Sequence, residues 1–156
     1  VGYGWMPPRG EATPEDIRHA EGLLSGFFDE IFPQFQISAG QALLMGFSQG
    51  GGMTYRCGLG RPEVFAGLVA LSASLPDPDE LRSRLPQHRG QPIFIAHGLA
   101  DPMVSMDSAR NTRKFLEDEG YHPDYHEYDM GHEIPLPVLQ DLIPWMTGLL
   151  PPYRSI

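Results

Sequence analysis

Gly46-Phe47-Ser48-Gln49-Gly50 sets a serine in a G-x-S-x-G spacing, where the apolar run ALLMGF (42–47) gives way to SQGGGMTYRCGL (48–59). The run reads as a strand buried on both faces, and the segment after it as a helix. A serine at the apex of so sharp a strand-to-helix turn needs neighbours without a Cβ two residues away on either side, which Gly46 and Gly50 supply. The turn would present the Ser48 hydroxyl at the C-terminal edge of a sheet. It would also leave the Gln49 N–H at a helix N-terminus, aimed at the place where an oxyanion develops. That is an arrangement for nucleophilic catalysis. A glycine-rich helix start capped by serine is the plainer reading of the same five residues.

A serine hydroxyl is a weak nucleophile at neutral pH and needs a base, which in turn needs an orienting carboxylate. HGLADPMV (97–104) continues the expected strand PIFIAHG (92–98) and places Asp101 in the next loop. DMGHEI (129–134) continues the expected strand PDYHEYDM (123–130) and places His132 in the loop before the last helix. Taken singly, Asp101 is an Asp-Pro turn residue and His132 a surface histidine. Together they stand in the order Ser, Asp, His, each at the C-terminal end of a strand, where parallel α/β sheets hold their sites. The expected reading is a triad, with activity rising with pH as the imidazole gives up its proton.

The elements that must position these residues are marked by their own punctuation. Residues 1–12 read as a loop. Thr13 as N-cap, Pro14 at N1, and Glu15 and Asp16 in the first turn open a helix that carries Ile17, Ala20, Leu24, Phe27 or Phe28, and Ile31 on one face. Pro33 is expected to end it. FAGLVALSA (65–73) reads as a further strand, 105–120 as a helix with Gly120 as its C′ residue, and 135–150 as the last helix. The segment 75–91 interrupts this rhythm with charge and proline and is expected to hold one short helix around Glu80 to Leu85. Four strands separated by helices predict a mostly parallel α/β sheet in a single domain spanning 1–156.

Lys+Arg 11 against Asp+Glu 20 gives a net charge of −9, the wrong sign for neutralising phosphates. No nucleic-acid partner is expected. Cys57 is the only cysteine, so no internal disulfide can form, which fits a reducing, cytoplasmic setting. No apolar run approaches the length of a membrane span. His97 reads as a structural hydrogen-bonding residue, and His122, His126 and Cys57 lack metal-ligand spacing, so no metal is expected. Trp5, Met6, Leu75, Met103 and Val104 are apolar residues in loops expected near Ser48, where they could line an acyl pocket.

GFSQGG, VALSASLP, HGLADPMV and MGHEI together resemble the motifs of the carboxylesterase and acyl-protein thioesterase family of α/β-hydrolases, also called the phospholipase/carboxylesterase family. The resemblance runs from GYGW to the last helix. It implies Ser48 as nucleophile, Asp101 as orienting acid, His132 as general base and the Gln49 amide as one oxyanion donor. It further implies hydrolysis of small-molecule esters or thioesters of short to medium acyl chains, without metal or cofactor. Related activities, dienelactone-hydrolase-like or peptidase-like, remain open at this point, as does an interaction module with impaired catalysis. The departure is at the front, where the family carries strands and an HG-x-G loop that supplies a second oxyanion N–H. Nothing in residues 1–41 resembles that loop. An α/β-hydrolase core lacking those strands is therefore expected, with the edge of 42–47 paired either to polypeptide outside these 156 residues or to a second copy in a homodimer.

Overall fold

In the computed structural model, which describes residues 4–8 and 10–150, the chain divides into two units, one ending at Ser38 and the other beginning at Ala39. Of the loop expected over 1–12, residues 1–3 and Arg9 lie outside the described residues. The smaller unit is built on α1 (Pro14–Gln34). Thr13 caps it reciprocally with Asp16: the Thr13 hydroxyl accepts from the Asp16 N–H at 3.2 Å, and the Asp16 carboxylate accepts from the Thr13 N–H at 2.8 Å. Ala20, Leu24 and Phe28 are its buried residues, four apart, while Phe27 faces outward. Pro33 does not end α1 as expected. Its missing N–H removes one bond in the last turn only, its φ suits a helix, and the chain leaves through Phe35 into Gln36 at φ 54.

The larger unit alternates β1 (Leu43–Phe47), α2 (Gln49–Gly58), β2 (Gly67–Leu71), α3 (Pro78–Arg82), β3 (Ile93–Gly98), α4 (Met106–Asp118), β4 (Asp124–Tyr128) and α5 (Leu136–Leu149). The strands form one parallel sheet in the order β1-β2-β3-β4, with Leu43 opposite Gly67, Leu68 opposite Ile93 and Phe94 opposite Asp124. All C-terminal strand ends therefore lie along one edge. Every residue of β2 and β3 is buried, as continuous apolar runs demand of interior parallel strands. Val69, Leu71, Phe94 and Ala96 pack with Val138 and Leu142 of α5 on one face. Gly58 of α2 is held close to Leu68 and Leu44, where an added Cβ would come within 2.4 Å of the Leu68 side chain.

Three expectations are corrected here. β1 is not buried on both faces: among the described residues it pairs with β2 alone, and Met45 and Phe47 are 56% and 36% exposed. Apolar composition states what a strand would bury, not that a neighbour is there. The short helix starts earlier than Glu80, because the Asp77 carboxylate accepts from the N–H groups of Asp79 and Glu80 and Pro78 follows it at N1. β4 stops at Tyr128 rather than Met130, since the Met130 N–H turns back to the Tyr128 carbonyl and begins the loop toward His132.

Candidate active site

The five residues around Ser48 fold as they do because β1 must hand over to α2 without a loop. Ser48 takes φ 54 and ψ −119, a conformation that costs a non-glycine residue on the order of 1–3 kcal/mol. Its N–H donates to the Leu71 carbonyl at 2.8 Å, and its own carbonyl accepts from Gly51 and Gly52. A Cβ on Gly46 would lie 2.1 Å from the Gly50 carbonyl oxygen, so the glycine there is required by a close backbone approach. Gln49 is the first residue of α2, and its N–H lies at the positive end of the helix dipole.

The loops after β3 and β4 are stitched together before either side chain is considered. Leu99 N–H donates to the Tyr128 carbonyl and Ala100 N–H to the Met130 carbonyl. At Gly98 a Cβ would fall 2.4 Å from the carbonyl oxygens of Met130 and Gly131, so the two loops approach at main-chain distance. On this frame Asp101 and His132 meet. His132 Nδ1 lies 2.8 Å from Asp101 Oδ2, and His132 Nε2 lies 2.9 Å from Ser48 Oγ. A carboxylate only accepts, so Nδ1 carries the hydrogen and Nε2 is left to accept the Ser48 O–H. The ring of Phe47 lies 4.7 Å from that of His132, tilted by 44°.

Asp101 divides its two oxygens between the turn and His132. Oδ1 accepts from the N–H groups of Met103 at 2.8 Å and Val104 at 2.9 Å, the bonds of an Asp-Pro turn, while Oδ2 serves His132. The side chain is fully buried, which pushes its pKa up. Hydrogen bonds from His132, Val104 and Met103 outweigh that penalty and hold the carboxyl below the usual carboxylate range. It therefore stays ionised and can balance positive charge developing on the imidazole.

The pocket residues expected from the sequence divide between the units. Trp5, half-exposed, and Met6 belong to the smaller one; Leu75, Met103 and Val104 belong to the larger. Leu75 donates its N–H to Thr112 Oγ1 at 3.1 Å, and Met103 is 71% exposed beside Asp101. Sequence reasoning missed Phe47, Leu99 and Ile134, exposed apolar residues within two positions of Ser48, Asp101 and His132. The signal available was the position of large apolar residues in segments already assigned to the site edge. Among the described residues no group of three His, Cys, Asp or Glu side chains is placed to hold a metal ion, and no helix is long and apolar enough to cross a membrane.

The family model described as phospholipase/carboxylesterase matches residues 5–148. Acyl-protein thioesterase 1 of Neurospora crassa is 35% identical over 119 residues, covering 74% of this chain and 49% of that protein. A probable carboxylesterase of Oryza sativa is 32% identical over 107 residues, covering 67% of this chain and 40% of its own length. The chain thus spans about half the length of such relatives or less. The crystal structure of esterase PE8 superposes with a TM-score of 0.84 at 24% identity, over 96% of this chain and 71% of that one, and so shares the fold.

Proposed function

Because the chain belongs to the phospholipase/carboxylesterase family, we propose that it is a serine hydrolase cleaving carboxylic esters or thioesters of short to medium acyl chains through an acyl-enzyme. The observation that carries this reading is the unbroken hydrogen-bonded line Ser48–His132–Asp101, at 2.9 and 2.8 Å.

In the first half-reaction the Ser48 oxygen bonds to the acyl carbon as His132 Nε2 takes the hydroxyl proton. The carbonyl electron pair moves onto oxygen, where the Gln49 N–H faces it at the head of α2. Collapse of this adduct breaks the bond to the alcohol or thiol, which leaves with the proton from Nε2. Water then repeats the sequence on the acyl-enzyme and releases the acid. No step consumes a metal or a redox cofactor. Exposed Phe47, Leu99, Met103 and Ile134 support an apolar acyl group, because each flanks a triad residue in the chain and carries no charge.

Pre-steady-state hydrolysis of p-nitrophenyl esters of graded acyl length tests the reading. The expected result is a burst of one p-nitrophenolate per chain followed by slower turnover, strongest with an acyl chain of short or medium length. A linear trace at the uncatalysed rate would sink it in favour of an interaction module, and cleavage confined to a peptide anilide would favour a peptidase.

A further inference from the structure

His97, in β3, is fully buried, yet the chemistry above gives it no task. Its Nε2 lies 2.8 Å from the Val104 carbonyl oxygen. A carbonyl only accepts, so Nε2 carries a hydrogen and donates it. Val104 is also the residue whose N–H holds Asp101 Oδ1 at 2.9 Å. The same peptide segment is therefore gripped twice, by the carboxylate through its N–H and by the imidazole through its carbonyl. His97 Nε2 is 3.7 Å from Asp101 Oδ2, outside hydrogen-bond length, so that oxygen remains committed to His132.

We propose that His97 is a positioning residue for the triad: by donating to the Val104 carbonyl it fixes the 101–104 turn, and with it the oxygen of Asp101 that orients His132. The proposal rests on the triad reading given above. His97 is no second base: Nε2 bears the hydrogen it donates to Val104, and Nδ1, the nitrogen with the free lone pair, is sealed without a hydrogen-bond partner in a ring that is fully buried. β3 supplies the rigidity, being an interior strand paired on both sides. The imidazole carries that rigidity seven residues further along the chain into a loop that has no ladder of its own.

The test compares His97→Leu, similar in bulk but without a donor, with His97→Gln, whose side-chain amide N–H reaches about as far as Nε2. Loosening the acid loop is expected to lower kcat and the rate of Ser48 labelling by a fluorophosphonate about ten- to a hundred-fold in H97L, with KM within about twofold, because misplacement of a reacting group costs turnover rather than binding. H97Q is expected to recover most of the loss. H97L turning over within twofold of the parent would overturn the proposal, and so would H97Q as impaired as H97L, which would reduce His97 to packing. Nitrogen NMR of histidine-labelled parent protein gives a readout independent of either variant folding: His97 is expected as the Nε2–H tautomer in slow exchange, and an Nδ1–H tautomer would overturn the assignment. Failure of the triad reading is distinguishable, since it would leave Ser48 of the parent unlabelled.

Discussion

Replacing Ser48, His132 or Asp101 by alanine is expected to lower kcat for an activated ester by about 10⁴–10⁶, with Asp101 at the lower end of that range. Combining any two changes should cost little more than the worse of the pair. In the proposed reaction Ser48 Oγ gives its proton to His132 Nε2, at 2.9 Å, and that nitrogen is left free to accept because Nδ1–H is tied to Asp101, at 2.8 Å. Removing one member leaves the others without a function, so losses do not add on a logarithmic scale. Steady-state kinetics of the three single and three double variants check this. Independent, additive losses would mean that at least one residue acts outside the line. Asp101→Asn keeps the Oδ1-type acceptor for the turn amides of Met103 and Val104 but gives up the ionised partner of His132, and so should separate the two tasks of that side chain.

The second large effect concerns the outer edge of β1. That strand leads directly into Ser48, the proposed nucleophile, pairs only with β2 among the described residues, and exposes Met45 and Phe47. A bare parallel edge with apolar side chains invites a further strand. We propose that it is taken either by polypeptide beyond these 156 residues or by a second copy of the chain. The stakes are catalytic, because the proposed reaction uses the Gln49 amide as one oxyanion donor and loss of a partner donor typically costs about 10²–10³ in kcat. Turnover by this chain alone is therefore expected to fall about that far below turnover by a longer polypeptide that supplies a second N–H. Light scattering on the same samples reports whether a second copy occupies the edge. A monomer of 156 residues with solvated β1 and an ordinary kcat, about 1–10³ s⁻¹, would contradict both versions. Another amide would then complete the oxyanion hole.

The meeting of Ser48, Asp101 and His132 was legible because each motif sits at the end of a strand, and right-handed connections bring successive parallel strand ends to one edge. β1, β2 and β3 were legible as apolar runs of strand length, whereas β4 reads Asp-Tyr-His-Glu-Tyr and was legible from its place between two helical segments. The exposure of β1 was not, since ALLMGF has the same composition whether or not a neighbour exists. The start of α3 was missed although Asp77-Pro78 is a capping signal, because the charge and proline around it suggested irregular chain. The hydrogen bond of His97 to the Val104 carbonyl could not be read at all: a main-chain acceptor carries no residue signature, and its position depends on the turn that Asp101 itself closes. The turn reading and the triad reading of Asp101 concern different oxygens of one carboxylate, Oδ1 on the turn amides and Oδ2 on His132.

Covalent labelling tests the central claim most directly. A fluorophosphonate, allowed to react with the native chain and mapped by peptide mass spectrometry, should modify Ser48 alone, in a reaction abolished by His132→Ala. Ser48 is the hydroxyl within reach of His132 Nε2, whereas Ser72 is fully buried. Modification of Ser72, Ser74 or another residue in place of Ser48, or labelling of Ser48 that proceeds unchanged without His132, would contradict the account.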